Sequence, residues 1–195
     1  MLKWKINKSL KLMNLIENGP NKYPGAKSIK RKSDGKIIHV EVIDDGFIEI
    51  KEDKIEAVGI ASELGSRAKD AIDTGGSILP GMFNSHAHLA WDGIHDLARQ
   101  SMDDSPEISA YKSAGNMLIS LRAGITTVRD LGMNTANIFS KQAVEQGIFP
   151  GPRLLITGEA IIQTGGHTYW CCREASVADE MRRAVREQVR AGADL

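Results

Sequence analysis

The run Ser105-Pro-Glu-Ile-Ser-Ala-Tyr-Lys-Ser-Ala-Gly-Asn-Met-Leu-Ile-Ser-Leu-Arg-Ala-Gly-Ile-Thr-Thr-Val128 decides the fold. Ser105 is an N-cap residue and Pro106 fits the first helical turn, where its missing N–H costs nothing. Ile108, Tyr111, Leu118 and Leu121 recur through the segment, and Gly124 can take the left-handed conformation that ends a helix. The β-branched Ile125-Thr-Thr-Val128 then reads as a strand. The same helix, glycine, strand junction returns twice. A second helix runs from about Asn134 to Gly147 and is followed by a strand from Arg153 to Thr157. A third starts at Ser176, with Asp179 three residues on, carries Val177, Met181, Ala184, Val185 and Val189, and ends at Gly192. Single helices alternating with strands imply parallel pairing through crossovers, so the sheet is an open doubly wound one or a closed barrel.

Upstream the pattern differs. From about Ser28 to Val58, short strands alternate with turns: Lys36 to Ile43, Phe47 to Lys51 and Lys54 to Val58, with Asp34-Gly35 and Asp45-Gly46 at the bends. This predicts an antiparallel meander. The division falls at Leu79-Pro80, giving a β segment over 1–79 and βα units over 80–195. His39 lies within a strand and reads as a surface residue.

The chain has 195 residues, is 42% hydrophobic and balances 25 basic against 25 acidic residues, which excludes a disordered chain. No apolar run approaches the ~20 residues of a membrane-crossing helix, and the N-terminus has no secretory pattern. A soluble protein with no membrane contact, cytoplasmic by default, is expected. Residues 1–36 hold ten Lys/Arg against two acids. Without interleaved aromatics or a recognition helix this reads as a solvated basic edge, and no nucleic-acid partner is expected. The two cysteines are adjacent, Cys171-Cys172, a spacing that gives no disulfide framework and no CxxC metal pair.

The chemistry concentrates in Leu79-Pro-Gly-Met-Phe-Asn-Ser-His-Ala-His88. Side chains alternate along a strand, so His86 and His88 share a side, and at its C-terminal end two imidazoles can reach one metal ion. Parallel sheets place their sites at that end. His167 follows Thr164-Gly-Gly, where backbone can approach a ligand closely; a histidine satisfied by loop carbonyls explains it equally well. His95 reads as a surface residue. Asp92, Arg129 and Asp130 sit near strand ends, and an adjacent ion pair or a helix cap accounts for Arg129-Asp130 as well as substrate contact does.

Three segments resemble the amidohydrolase superfamily of metal-dependent hydrolases: Ile78-Leu-Pro-Gly-Met-Phe-Asn-Ser-His-Ala-His-Leu89, Ala123-Gly-Ile-Thr-Thr-Val-Arg-Asp-Leu-Gly132, and Gly151-Pro-Arg-Leu-Leu-Ile-Thr-Gly158 with Thr164-Gly-Gly-His167. With the preceding strand pair they cover about two thirds of the chain. They look most like the branch containing Xaa-Pro dipeptidases, with imidazolonepropionase as a more distant relative. The resemblance implies an α/β fold, the N-terminal part of a (β/α)8 TIM barrel with about three βα units, preceded by a small antiparallel β-sandwich segment. It also implies one or two divalent metal ions, commonly zinc, with His86 and His88 as the first two ligands and His167 and Tyr169 beside a small-molecule or dipeptide substrate. Asn84 stands where the family more often has aspartate.

In that family a carboxylated lysine at the end of strand four, two further histidines and an aspartate complete the site, in a Gly-Ala-Asp-x-x-Lys context for the lysine. This sequence reaches Gly192-Ala-Asp-Leu195, and its 116 residues from 80 onward compare with ~250 for a whole barrel. The expectation is a longer protein that hydrolyses a carbon–nitrogen bond and can form a homo-oligomer, with the 195-residue chain inactive alone. Two alternatives stay open: a non-catalytic half barrel, and a mononuclear deaminase of the same superfamily. A lysine just beyond Leu195 favours the hydrolase, and its absence the deaminase.

Overall fold

A computed structural model describes the backbone of residues 29–33 and 36–40 and all of residues 43–195. The chain divides into two compact units between Ile78 and Leu79.

In the first unit, strands β1 (Ile29–Ser33) and β2 (Lys36–Val40) pair antiparallel, as do β3 (Gly46–Lys51) and β4 (Lys54–Ile60). No ladder joins the two hairpins among the described residues, which corrects the continuous meander read from the sequence. The strand read as reaching Ile43 is described over Lys36–Val40; Ile43 itself is not in a strand, and residues 41 and 42, like the Asp34-Gly35 bend, lie outside the described residues. Asp45 takes a positive φ of 50° at the β3 entry, as an Asp-Gly turn requires. A 3-10 helix, Ala61–Asp70, follows.

The second unit is built on three parallel strands in the order β5 (Met82–Ala87), β6 (Ile125–Asp130), β7 (Arg153–Ile156). Between them run α1 (Leu97–Asp103), α2 (Pro106–Arg122) and α3 (Ala136–Glu145), and α4 (Ala178–Ala191) comes last. The parallel α/β character expected from the alternation is present. Two short strands, β8 (Ile161–Ile162) and β9 (Arg173–Glu174), pair parallel in the long connection before α4 and have no counterpart in the sequence reading.

The α2 boundaries follow their signals. Ser105 Oγ accepts the Ile108 N–H at 3.4 Å, Pro106 occupies the first turn, and Gly124 follows at φ +80°. Its buried face follows only in part: Leu118 and Leu121 are half-buried, whereas Ile108 and Tyr111 are exposed, Tyr111 at 78%, and the fully buried positions are Ser109, Ser113 and Met117. The cause is close helix approach. Ser140 Oγ of α3 donates to Ser113 Oγ at 3.0 Å, a spacing that larger side chains would prop apart. In α4, likewise, Ala184 and Gln188 are buried while Val185 and Val189 stay exposed.

The core of this unit is Leu89, Met117, Val128, Ile138, Leu154 and Ile156, where α2 and α3 cover one face of the sheet. Burying each such side chain contributes about 1.5–3 kcal/mol. This packing holds the C-terminal ends of β5 and β6 rigidly side by side, with Ala87 in register with Asp130.

Candidate metal-binding site

The site begins with an irregularity in β5. Its ladder to β6 shifts register between Asn84 and Ala87, and Asn84 Oδ1 accepts the His86 N–H at 3.1 Å. That carbonyl oxygen bends the chain at the strand's end; an aspartate would offer the same acceptor, which explains why asparagine serves here. Beyond the bend His86 and His88 lie together, ring centroids 5.3 Å apart and edge to face. His86 is exposed and His88 half-buried.

His88 is held in one protonation pattern. Its Nδ1 lies 2.5 Å from the Gly132 carbonyl oxygen. A carbonyl only accepts, so Nδ1 carries the proton, and in the neutral ring Nε2 keeps the lone pair. Ligating histidines use this arrangement, donating one ring N–H to an outer partner while the other nitrogen faces the metal. The donor chemistry therefore fits a borderline-soft divalent ion such as zinc. It supplies part of a shell: among the described residues no group of three or more His, Cys, Asp or Glu is placed to hold a metal.

Behind the pair sits Asp130, 2% exposed at the end of β6. Its Oδ1 accepts the Gly132 N–H at 2.9 Å and its Oδ2 the Leu89 N–H at 3.3 Å. Burial pushes its carboxyl above the usual range, against the pull of those two N–H groups and the nearby His88. Arg129 turns away and donates from Nε to the Ser85 carbonyl at 2.6 Å. The ion pair and the helix cap entertained for Arg129-Asp130 are both replaced by these backbone contacts, since α3 starts only at Ala136.

Trp91 forms a wall beside His88, with ring centroids 4.5 Å apart, and Trp170 continues it at 5.8 Å from Trp91. Trp91 is pinned from α1 and α2: its Nε1 donates to Ser101 Oγ at 3.0 Å, and Asn116 Nδ2 donates to the Leu89 and Trp91 carbonyls at 2.8 and 3.0 Å. The sequence reading passed over both tryptophans, because nothing local announces a stack between residues so far apart in the chain.

His167 and Tyr169 stand exposed on the connection after β8, near a strained backbone in which Thr168 has φ 60°. From this loop it is Trp170 that reaches the aromatic wall. Asp92 is occupied elsewhere, 2.9 Å from Lys112 Nζ, and His95 is exposed. Burial pushes the Cys171 thiol up to about 12, with the adjacent Cys172 adding to the rise.

A model of the amidohydrolase family matches residues 77–195. The ochratoxinase of Aspergillus niger is 27% identical over 144 residues, covering 60% of this chain and 30% of that protein. A solved prolidase complexed with N-methylphosphonate-L-proline is 28% identical, with a TM-score of 0.51 over 59% of this chain and 32% of the prolidase. A solved amidohydrolase is 27% identical, with a TM-score of 0.59 over 79% of this chain and 41% of its own. The chain thus spans between 30% and 41% of the length of these relatives.

Proposed function

This chain belongs to the amidohydrolase family, and on that premise we propose that the protein hydrolyses a carbon–nitrogen bond, in a dipeptide of the Xaa-Pro kind or a related small amide, at a metal centre begun by His86 and His88. The observation that carries the reading is the His88 ring: a proton fixed on Nδ1 by the Gly132 carbonyl leaves Nε2 as a ready ligand. The family match and the similarity to a prolidase support the bond type. A (β/α)8 barrel is the proposed frame, its first strands being β5, β6 and β7.

A divalent ion in such a site, zinc in our reading, acidifies water and polarises a carbonyl oxygen. The chain's own residues supply the beginning of that shell and its surroundings. His86 and His88 hold the ion, and the Asn84 bend presents both rings at one strand end. Trp91 covers one side of His88 and keeps water from that flank, and with Trp170 it offers an apolar surface for an apolar substrate ring such as that of proline. His167 and Tyr169 are proposed as polar contacts to a substrate carbonyl or carboxylate.

The test is amine release from a panel of Xaa-Pro dipeptides and N-acyl amino acids by the protein expressed from its complete reading frame. Turnover by the wild type and none by His86→Ala or His88→Ala is the expected result. Turnover undiminished in the double variant would overturn the assignment.

A further inference from the structure

We propose that Asp130 is a positioning residue for His88: its carboxylate ties the loops after β5 and β6 together and so sets the His88 tautomer. A carboxylate buried to 2% exposure, with no Lys or Arg paired to it among the described residues, is costly, and an apolar residue would fill the space without that cost. Something other than packing has to account for it. Its two oxygens take two different loops. Oδ2 accepts from Leu89, the residue directly after His88, and Oδ1 accepts from Gly132, whose carbonyl receives the His88 Nδ1 proton. The Leu131 N–H donates to the Ala87 carbonyl at 2.9 Å and closes the same junction from the other side.

Both backbone units that define the His88 environment therefore hang on one side chain. Asp130 anchors the Gly132 N–H, and the Gly132 φ of +79° turns the carbonyl toward the imidazole. Only a group with two acceptor oxygens and no donor satisfies Leu89 and Gly132 at once; asparagine would set an NH2 against one of the N–H groups. The effect on catalysis rests on His88 being a ligand, as proposed above. The effect on the ring does not.

The experiment is therefore read on the ring. In protein from the complete reading frame, selectively 15N-labelled at histidine and stripped of metal, the wild type should show His88 as the Nδ1–H tautomer. Asp130→Asn should move His88 to a mixture or to Nε2–H, leave His95 and His167 unchanged, and weaken zinc binding about 10- to 100-fold. A folded Asp130→Asn protein that keeps His88 in the Nδ1–H form would overturn the proposal, since a residue serving stability alone would leave the tautomer untouched. Should that variant not fold, amide exchange in the wild type decides. The Leu89 and Gly132 amides should be among the slowly exchanging ones, and exchange at open-loop rates would refute the tie. Neither readout depends on turnover, so failure of the hydrolase reading and failure of this one remain distinguishable.

Discussion

Gly132 combines a left-handed backbone with close quarters. At φ +79° a side chain is already disfavoured, and a Cβ there would run into the Gly158 carbonyl oxygen. Gly132→Ala should therefore cost about 2 kcal/mol or more, well beyond the ordinary glycine-to-alanine effect. A urea titration measures this, and an unchanged midpoint would show that the junction yields easily. The sequence made part of this neighbourhood readable. Two histidines with one residue between them at the end of a strand are a local pattern, whereas the Asn84 bend beyond which the rings meet is not written in the alternation. Asp130 was not readable in its actual role, because its partners are backbone N–H groups, one of them at Leu89 on another strand's exit. An aspartate at a strand's end looks the same whether it caps a helix, pairs with the arginine beside it or clamps a loop.

Helix α2 shows how an element's ends can be clear while its buried face is not. Capping is local chemistry and is written in Ser105, Pro106 and Gly124; burial depends on the neighbour, and α3 approaches closely enough to want serines. The consequence is a contrast between two substitutions. Tyr111→Ser, at an apolar position that is 78% exposed, should change stability by less than about 0.5 kcal/mol. Ser109→Leu, at a fully buried serine, should cost about 1–3 kcal/mol through overpacking. Thermal denaturation of the two variants checks the assignment, and the reverse order would contradict it.

The α1–α2 junction adds a pH effect. The Lys112 ammonium, 2.6 Å from Asp104, holds the Asp104 carboxyl below its usual range, helped by the Gln100 amide. With the folded pKa below the unfolded value of about 3.9, the stabilisation is present above that pH and fades as pH falls through the folded pKa. The melting temperature of the wild type should thus fall more steeply below about pH 4 than that of Asp104→Asn, and parallel acid limbs would contradict this.

For the molecule as a whole, the alternation of helix and strand made the parallel α/β unit legible, since crossover connections follow from that order. The β3–β4 hairpin before it was legible as two strands that pair antiparallel across a turn; the missing ladder between the two hairpins was not, because periodicity within a strand carries no information on which edge it meets. Asp194 illustrates a contact that only the assembled sheet reveals: its N–H donates to the Ile156 carbonyl at 2.8 Å and its Oδ2 accepts the Ile156 N–H at 2.9 Å, on the free side of β7. Among the described residues no helix is long and apolar enough to cross a membrane.

The claim that His86 and His88 begin a metal centre is tested most directly by zinc content. Protein from the complete reading frame would be stripped with chelator, re-equilibrated with zinc and assayed by elemental analysis beside the His86→Ala/His88→Ala double variant. The account expects zinc retained by the wild type and lost from the folded variant. Equal zinc in both would mean that these two imidazoles do not hold the metal.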